Sequence, residues 1–125
     1  MALHFQTDDP AGLLAEFRRL IDAGHIDTWQ YDDAGDFTHT PDQWRFKAWM
    51  KPYVGPDVLS FGIIAKKSEP MKVPVYGVYH GRLMESFLNH CDQRFRNVVS
   101  TALLDPEYDI YSITVQTDQP ALLTS

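Results

Sequence analysis

The residues here whose types and spacing could do chemistry are few, and the densest group is Tyr79-His80-Gly81-Arg82. An apolar run, Val73 to Tyr79, reads as a strand, and an apolar stripe of helical spacing follows it. A strand is therefore expected to hand over to a helix at Gly81. A helix start leaves its first amides without partners and attracts anions. Gly81 would let a ligand approach the backbone, while Arg82 and a protonated His80 would add charge-assisted donors. His80, Gly81 and Arg82 form the candidate anion site, and Tyr79 is a candidate ligand or interface residue beside it. The structural alternative is a tight turn at Gly81, a cap at His80 and a surface ion pair for Arg82.

None of the five histidines stands in an H-x-H or H-E-x-x-H pattern, so no local metal grip is expected, and no cofactor is implied. Asp36 and His39 are three apart in a predicted strand, which sends them to opposite faces unless a bulge intervenes. The acidic stretch Asp32-Asp33-Ala34-Gly35-Asp36 lacks the alternating ligands and closing glutamate of a calcium loop and reads as a hairpin turn. Cys91 is the single cysteine. Helical spacing puts it with Phe87, Leu88 and Phe95 on a buried stripe, where a thiol has a raised pKa and stays inert. No G-x-S-x-G elbow marks a nucleophilic serine.

The aromatic residues Trp29, Tyr31, Phe37, Trp44, Phe46, Trp49 and Tyr53 crowd one stretch of chain. They could fill a core or line a pocket if the sheet curves. Alternation over Trp44 to Lys51 turns Trp44, Phe46, Ala48 and Met50 inward, leaving Trp49 on the other face with Arg45, Lys47 and Lys51. An indole among cations on an outer face is a candidate contact residue.

The elements that must position these residues follow from periodicity. Asp9 caps a helix predicted from Pro10 to Ala23, with Leu13, Leu14, Phe17, Leu20 and Ile21 on its apolar face and Gly24 as its stop. Period-two runs at Ile26 to Asp32 and Asp36 to Thr40 flank a three-residue loop ending in Gly35, a hairpin signature with Trp29, Tyr31 and Phe37 on a shared face that His39 can extend. Trp44 to Lys51 follows as a strand, Pro52 to Asp57 as a turn and Val58 to Ala65 as a central strand apolar on both faces. Gly81 to Phe95 is the second predicted helix. Asn97 to Leu103 and Ile110 to Val115 are further strands, with a loosely held tail from Thr117. Short connections imply antiparallel neighbours. The expected fold is α+β: a two-layer sandwich with a curved, mainly antiparallel sheet of about 6–8 strands and two amphipathic helices on one face.

At 125 residues, 44% hydrophobic and 22% charged, the chain fits a single globular domain spanning 1–125. A formal charge of −6 makes nucleic acid or an anionic membrane an unlikely partner. The lone cysteine and the lack of a signal-like or membrane-length apolar run favour the cytoplasm. With no acid–base constellation, the chain reads as a non-enzymatic, protein-binding or regulatory protein, of which immunity-type inhibitors are examples. The competing reading is a small-molecule or anion-binding protein or enzyme, with an aromatic-lined pocket near Tyr79 to Arg82.

Overall fold

Asp9 opens the first helix by accepting the Gly12 amide hydrogen at 3.0 Å, and Pro10 takes a position where a missing N–H costs nothing. This helix, α1 (Pro10–Asp22), buries Leu13, Leu14, Phe17 and Leu20 along one stripe. It stops at Gly24, whose φ of 80° lets its amide reach Ile21 O at 3.1 Å while His25 reaches Leu20 O at 2.9 Å. The computed structural model describes residues 1–66, 69–103 and 105–109. The strand expected at Ile110 to Val115 and the tail from Thr117 lie outside those residues.

Among the described residues six strands build one antiparallel sheet: β1 (Ala2–Gln6), β2 (Trp29–Tyr31), β3 (Phe37–His39), β4 (Ala48–Gly55), β5 (Val58–Ala65) and β6 (Asn97–Ser100), in the order β2-β3-β4-β5-β1-β6. The sheet is open, with β2 and β6 at its edges. Gly35 turns the β2–β3 hairpin at a φ of 86°, and the register pairs Trp29 with His39 and Tyr31 with Phe37, so the shared aromatic face forms as expected. The run Val58 to Ala65 is central, between β4 and β1.

The second helix ends at Cys91 rather than Phe95 and the strand from Asn97 at Ser100 rather than Leu103, and three boundaries differ more consequentially from expectation. Residues 41–47 form turns, and β4 starts only at Ala48. It then continues through Pro52 to Gly55, so the turn expected from Pro52 shrinks to Pro56 and Asp57, with Asp57 at a φ of 58°. The third difference matters most. Val73 to Tyr79 is helical, and α2 runs over Val73–Cys91. Pro74 occupies the first turn of this helix, where proline fits as well as it would at the edge of a strand. Valines and tyrosines favour strands locally. Here packing decides, because Tyr79, His80, Leu83, Phe87 and Cys91 form one buried stripe at helical spacing. Leu88, expected on that stripe, is exposed.

Both helices meet the same face of the sheet. Phe17 of α1 stacks on Phe87 of α2 with centroids 4.2 Å apart, and Phe87 meets Phe5 at 4.4 Å and Phe61 at 5.7 Å. Truncating a ring packed in this way costs about 3–5 kcal/mol. The opposite face carries His4, Ser60, Gly62, Tyr53, Lys51 and Trp49. Over it crosses Tyr108, whose ring sits edge-on to His4 at 5.2 Å and to Tyr53 at 5.1 Å. A Cβ at Gly62 would overlap the Tyr108 carbonyl oxygen, so this crossing requires glycine. Asp109 locks the segment down. One carboxylate oxygen accepts the Ile63 amide hydrogen at 3.0 Å, and the other accepts the Asp105 amide at 2.8 Å and meets the Met1 ammonium at 3.0 Å.

Candidate functional site

Two places on the surface gather chemically capable residues, and the turn at 41–47 touches both. At its end, Phe46 has a φ of 60°, a left-handed conformation that a bulky side chain rarely adopts. Its ring is 49% exposed and stacks over Trp49, centroids 6.4 Å apart and planes 25° from parallel. Trp49 lies on the outer face, as alternation along β4 requires when Ala48 and Met50 are buried. Lys51 follows it on that face, and Arg45 and Lys47 are exposed in the turn. Trp44 packs against the core as expected. Phe46 was expected inward as well, and the left-handed backbone throws it outward instead.

A chain of hydrogen bonds holds that backbone. The Phe46 amide donates to Thr38 Oγ1 at 3.1 Å, the Thr38 and Tyr79 hydroxyls share a bond at 3.0 Å, and Tyr79 donates to the Trp44 carbonyl. Tyr79 is fully buried on α2, and desolvation raises its pKa, so it stays protonated as a donor. The sequence singled out Tyr79 as a ligand or interface residue. The structure instead places it beneath the turn, where its hydroxyl fixes Phe46.

The anion site expected at His80, Gly81 and Arg82 requires a helix start at Gly81, whereas Gly81 lies in the interior of α2. Its amide belongs to the helix ladder. His80 is buried, with Nδ1 3.0 Å from the Tyr76 carbonyl. Burial pulls its pKa down to about 4, so it carries no charge near neutral pH. Arg82 is exposed and pairs with Glu85 at 3.3 Å. The structure separates Arg82 from His80 and brings it to a different histidine.

That histidine is His39. A cleft of about 190 Å³ between the β2–β3 hairpin and α2 is lined by Thr28, His39, Gln43, Trp44, Arg82 and Ser86, among others. His39 is only 4% exposed and leans on Trp29, with ring centroids 4.7 Å apart. Its Nδ1 lies 2.7 Å from the Thr28 carbonyl, which can only accept, so Nδ1 carries the proton and Nε2 a lone pair. Desolvation lowers the pKa of the ring, the Thr28 bond raises it, and Arg82 lowers it further while Glu85 raises it. The hairpin register already implied that His39 sits beside Trp29. Its nearness to Arg82 had no sequence signal, since it depends on where α2 begins.

Cys91 is buried with its pKa pushed up to about 11 by desolvation, as a stripe residue should be. Among the described residues no group of three or more histidine, cysteine or acidic side chains could hold a metal ion, and no helix is long and apolar enough to cross a membrane. Comparison with protein-family models, curated proteins and solved structures returns no match for this chain.

Proposed function

We propose that this protein is a non-enzymatic binding protein whose Phe46–Trp49 face docks an acidic segment of a partner protein, in the manner of a small regulator or inhibitor. The observation that carries this reading is Phe46, held in a strained left-handed conformation with its ring stacked outward on Trp49. Strain of this kind costs about 1–3 kcal/mol and persists only where the surroundings enforce it, which is common at binding sites. Here a buried tyrosine on α2 enforces it.

Charge supports the sign of the partner. Residues 43–72 hold six of the eleven basic residues and two of the seventeen acidic ones. Arg45 and Lys47 are exposed on either side of Phe46 in the turn, and Lys51 shares the outer face of β4 with Trp49. Nearby, Lys47, Lys66 and Lys72 line an adjoining hollow at the start of α2. An aromatic centre with a cationic rim fits a carboxylate-rich segment carrying an apolar anchor.

The test is a fluorescence titration with an Asp- and Glu-rich peptide bearing one leucine, alongside an oligo-dT strand and a neutral scrambled peptide. The acidic peptide should bind, more weakly as salt rises. Trp49→Ala should lower that affinity by about 2 kcal/mol or more. Tighter binding of oligo-dT would replace the protein partner with single-stranded nucleic acid. Self-association at high concentration, abolished by Trp49→Ala, would assign the face to a second copy. Unchanged peptide affinity in Trp49→Ala would sink the docking face altogether.

A further inference from the structure

The His39 cleft lies on the other side of the 41–47 turn and plays no part in that docking face. We propose that it binds an oxyanion that keeps a proton, of which hydrogen phosphate is the simplest. Its P–OH is donated to Nε2 of His39, and its bare oxygens are held by Arg82 and Ser86.

Three observations carry this. His39 is buried, and among the described residues the one hydrogen bond of its side chain runs from Nδ1 to the Thr28 carbonyl. That bond fixes the tautomer, so Nε2 at the cleft wall must receive a proton rather than give one. Ser86 is 8% exposed on the facing side of α2, and its hydroxyl has no hydrogen-bond partner among the described residues. Two largely buried side chains thus line one small cleft with polar atoms that no described residue engages and that stay open to a ligand from the cleft. The third observation is Arg82. Its guanidinium makes a single 3.3 Å contact with Glu85, and both side chains are more than half exposed, so the pair exchanges readily for a ligand anion. The volume of about 190 Å³ suits a small ion or a small phosphorylated molecule.

The acceptor at Nε2 sets the specificity. Near neutral pH sulfate has no proton and would oppose lone pair to lone pair, whereas hydrogen phosphate always retains one. A site that must receive a hydrogen bond rejects a ligand that lacks the donor far more strongly than a shape mismatch would. Glu85 opposes the anion and competes for Arg82, which gives its removal a distinctive sign.

The experiment is calorimetric and NMR titration of the whole chain near pH 6 with inorganic phosphate, phosphoserine and sulfate at matched ionic strength, following the His39 ring nitrogens. A monoester with a pKa near 6 still keeps a proton on about half its molecules there. Phosphate or phosphoserine should shift His39 Nε2, and whichever binds tighter identifies the source. Sulfate should bind at least about ten-fold more weakly, the effect of losing one charge-assisted bond. Arg82→Gln should weaken phosphate about ten-fold, while Glu85→Gln should strengthen it. Both residues lie on the exposed side of α2, so folding should survive. Equal binding of sulfate and phosphate, or saturation without a shift at His39, would overturn the proposal. A tighter site in Glu85→Gln that leaves His39 unperturbed would overturn it too, since it would place the anion elsewhere on α2.

Discussion

At the scale of single residues, Phe46 shows how a side chain can be kept for something other than stability. Phe46→Gly relieves a left-handed conformation worth about 1–2 kcal/mol, but it adds chain entropy worth about 0.5–1 kcal/mol and loses a ring contact worth about 0.5–1.5 kcal/mol. The variant should therefore unfold within about 1 kcal/mol of the wild type while losing the acidic peptide. A loss above about 3 kcal/mol in urea unfolding would instead make Phe46 a core anchor. No sequence signal marked this position, because alternation along a strand cannot reveal that the strand starts two residues later.

His80 is a second case with a definite sign. The free imidazole has a pKa near 6.5, and burial holds it at about 4 in the folded protein. Between those values the unfolded chain takes up a proton that the folded chain does not. Stability is therefore full above pH 6.5 and declines as pH falls toward 4, by about 3 kcal/mol in order of magnitude at the lower end. His39, whose pKa is also lowered mainly by desolvation, adds to the same limb. Urea unfolding between pH 7.5 and pH 4.5 should show the decline, and His80→Leu should flatten it. An unchanged slope in that variant would assign the acid sensitivity elsewhere.

At the scale of elements, the helix α1 and the β2–β3 hairpin were legible because their signals are local. Asp9, Pro10 and Gly24 bracket one, and Gly35 closes the other. The start of α2 was not, because the segment from Val73 has the propensity of a strand and becomes helical only through contacts with distant residues. That single boundary removed the helix start expected at Gly81 and brought Arg82 to the cleft that His39 lines. It also set Tyr79 beneath the 41–47 turn, where its hydroxyl ties α2 to Trp44 and Thr38. Tyr79→Phe keeps the ring against Trp29 and removes only that tie. It should cost about 1–3 kcal/mol, the range for leaving a buried polar group, here the Thr38 hydroxyl, without its partner, while the Trp44 carbonyl keeps the Lys47 amide. Peptide binding should weaken with it, although Tyr79 touches no partner. Should thermal stability fall and peptide affinity stay constant, the turn holds its shape without the tyrosine.

At the scale of the whole molecule, the two faces of the sheet are covered differently. Helices cover one, and residues 105–109 cross the other at Gly62. Gly62→Val should force Tyr108 off the sheet and break the bond from the Ile63 amide to Asp109. Hydrogen exchange should report this as faster exchange at Ile63, with α1 and α2 unaffected. Protection of Ile63 identical to the wild type would mean that the crossing can shift to admit a side chain.

The strand order also constrains how the chain can be made. β1 lies between β5 and β6, pairing His4 with Ser60 on one side and Leu3 with Ser100 on the other. A ribosome completes β1 long before either neighbour exists, so the edge that pairs β5 waits until Gly62 has emerged and the edge that pairs β6 until Ser100 has. The hairpins β2–β3 and β4–β5 can close as they appear and β1 can then join β5, but the other edge of β1 is sealed only once β6 has emerged. A nascent chain halted before β6 should therefore hold its hairpins and still leave β1 open to chaperones, and its release from them should coincide with the emergence of Ser100.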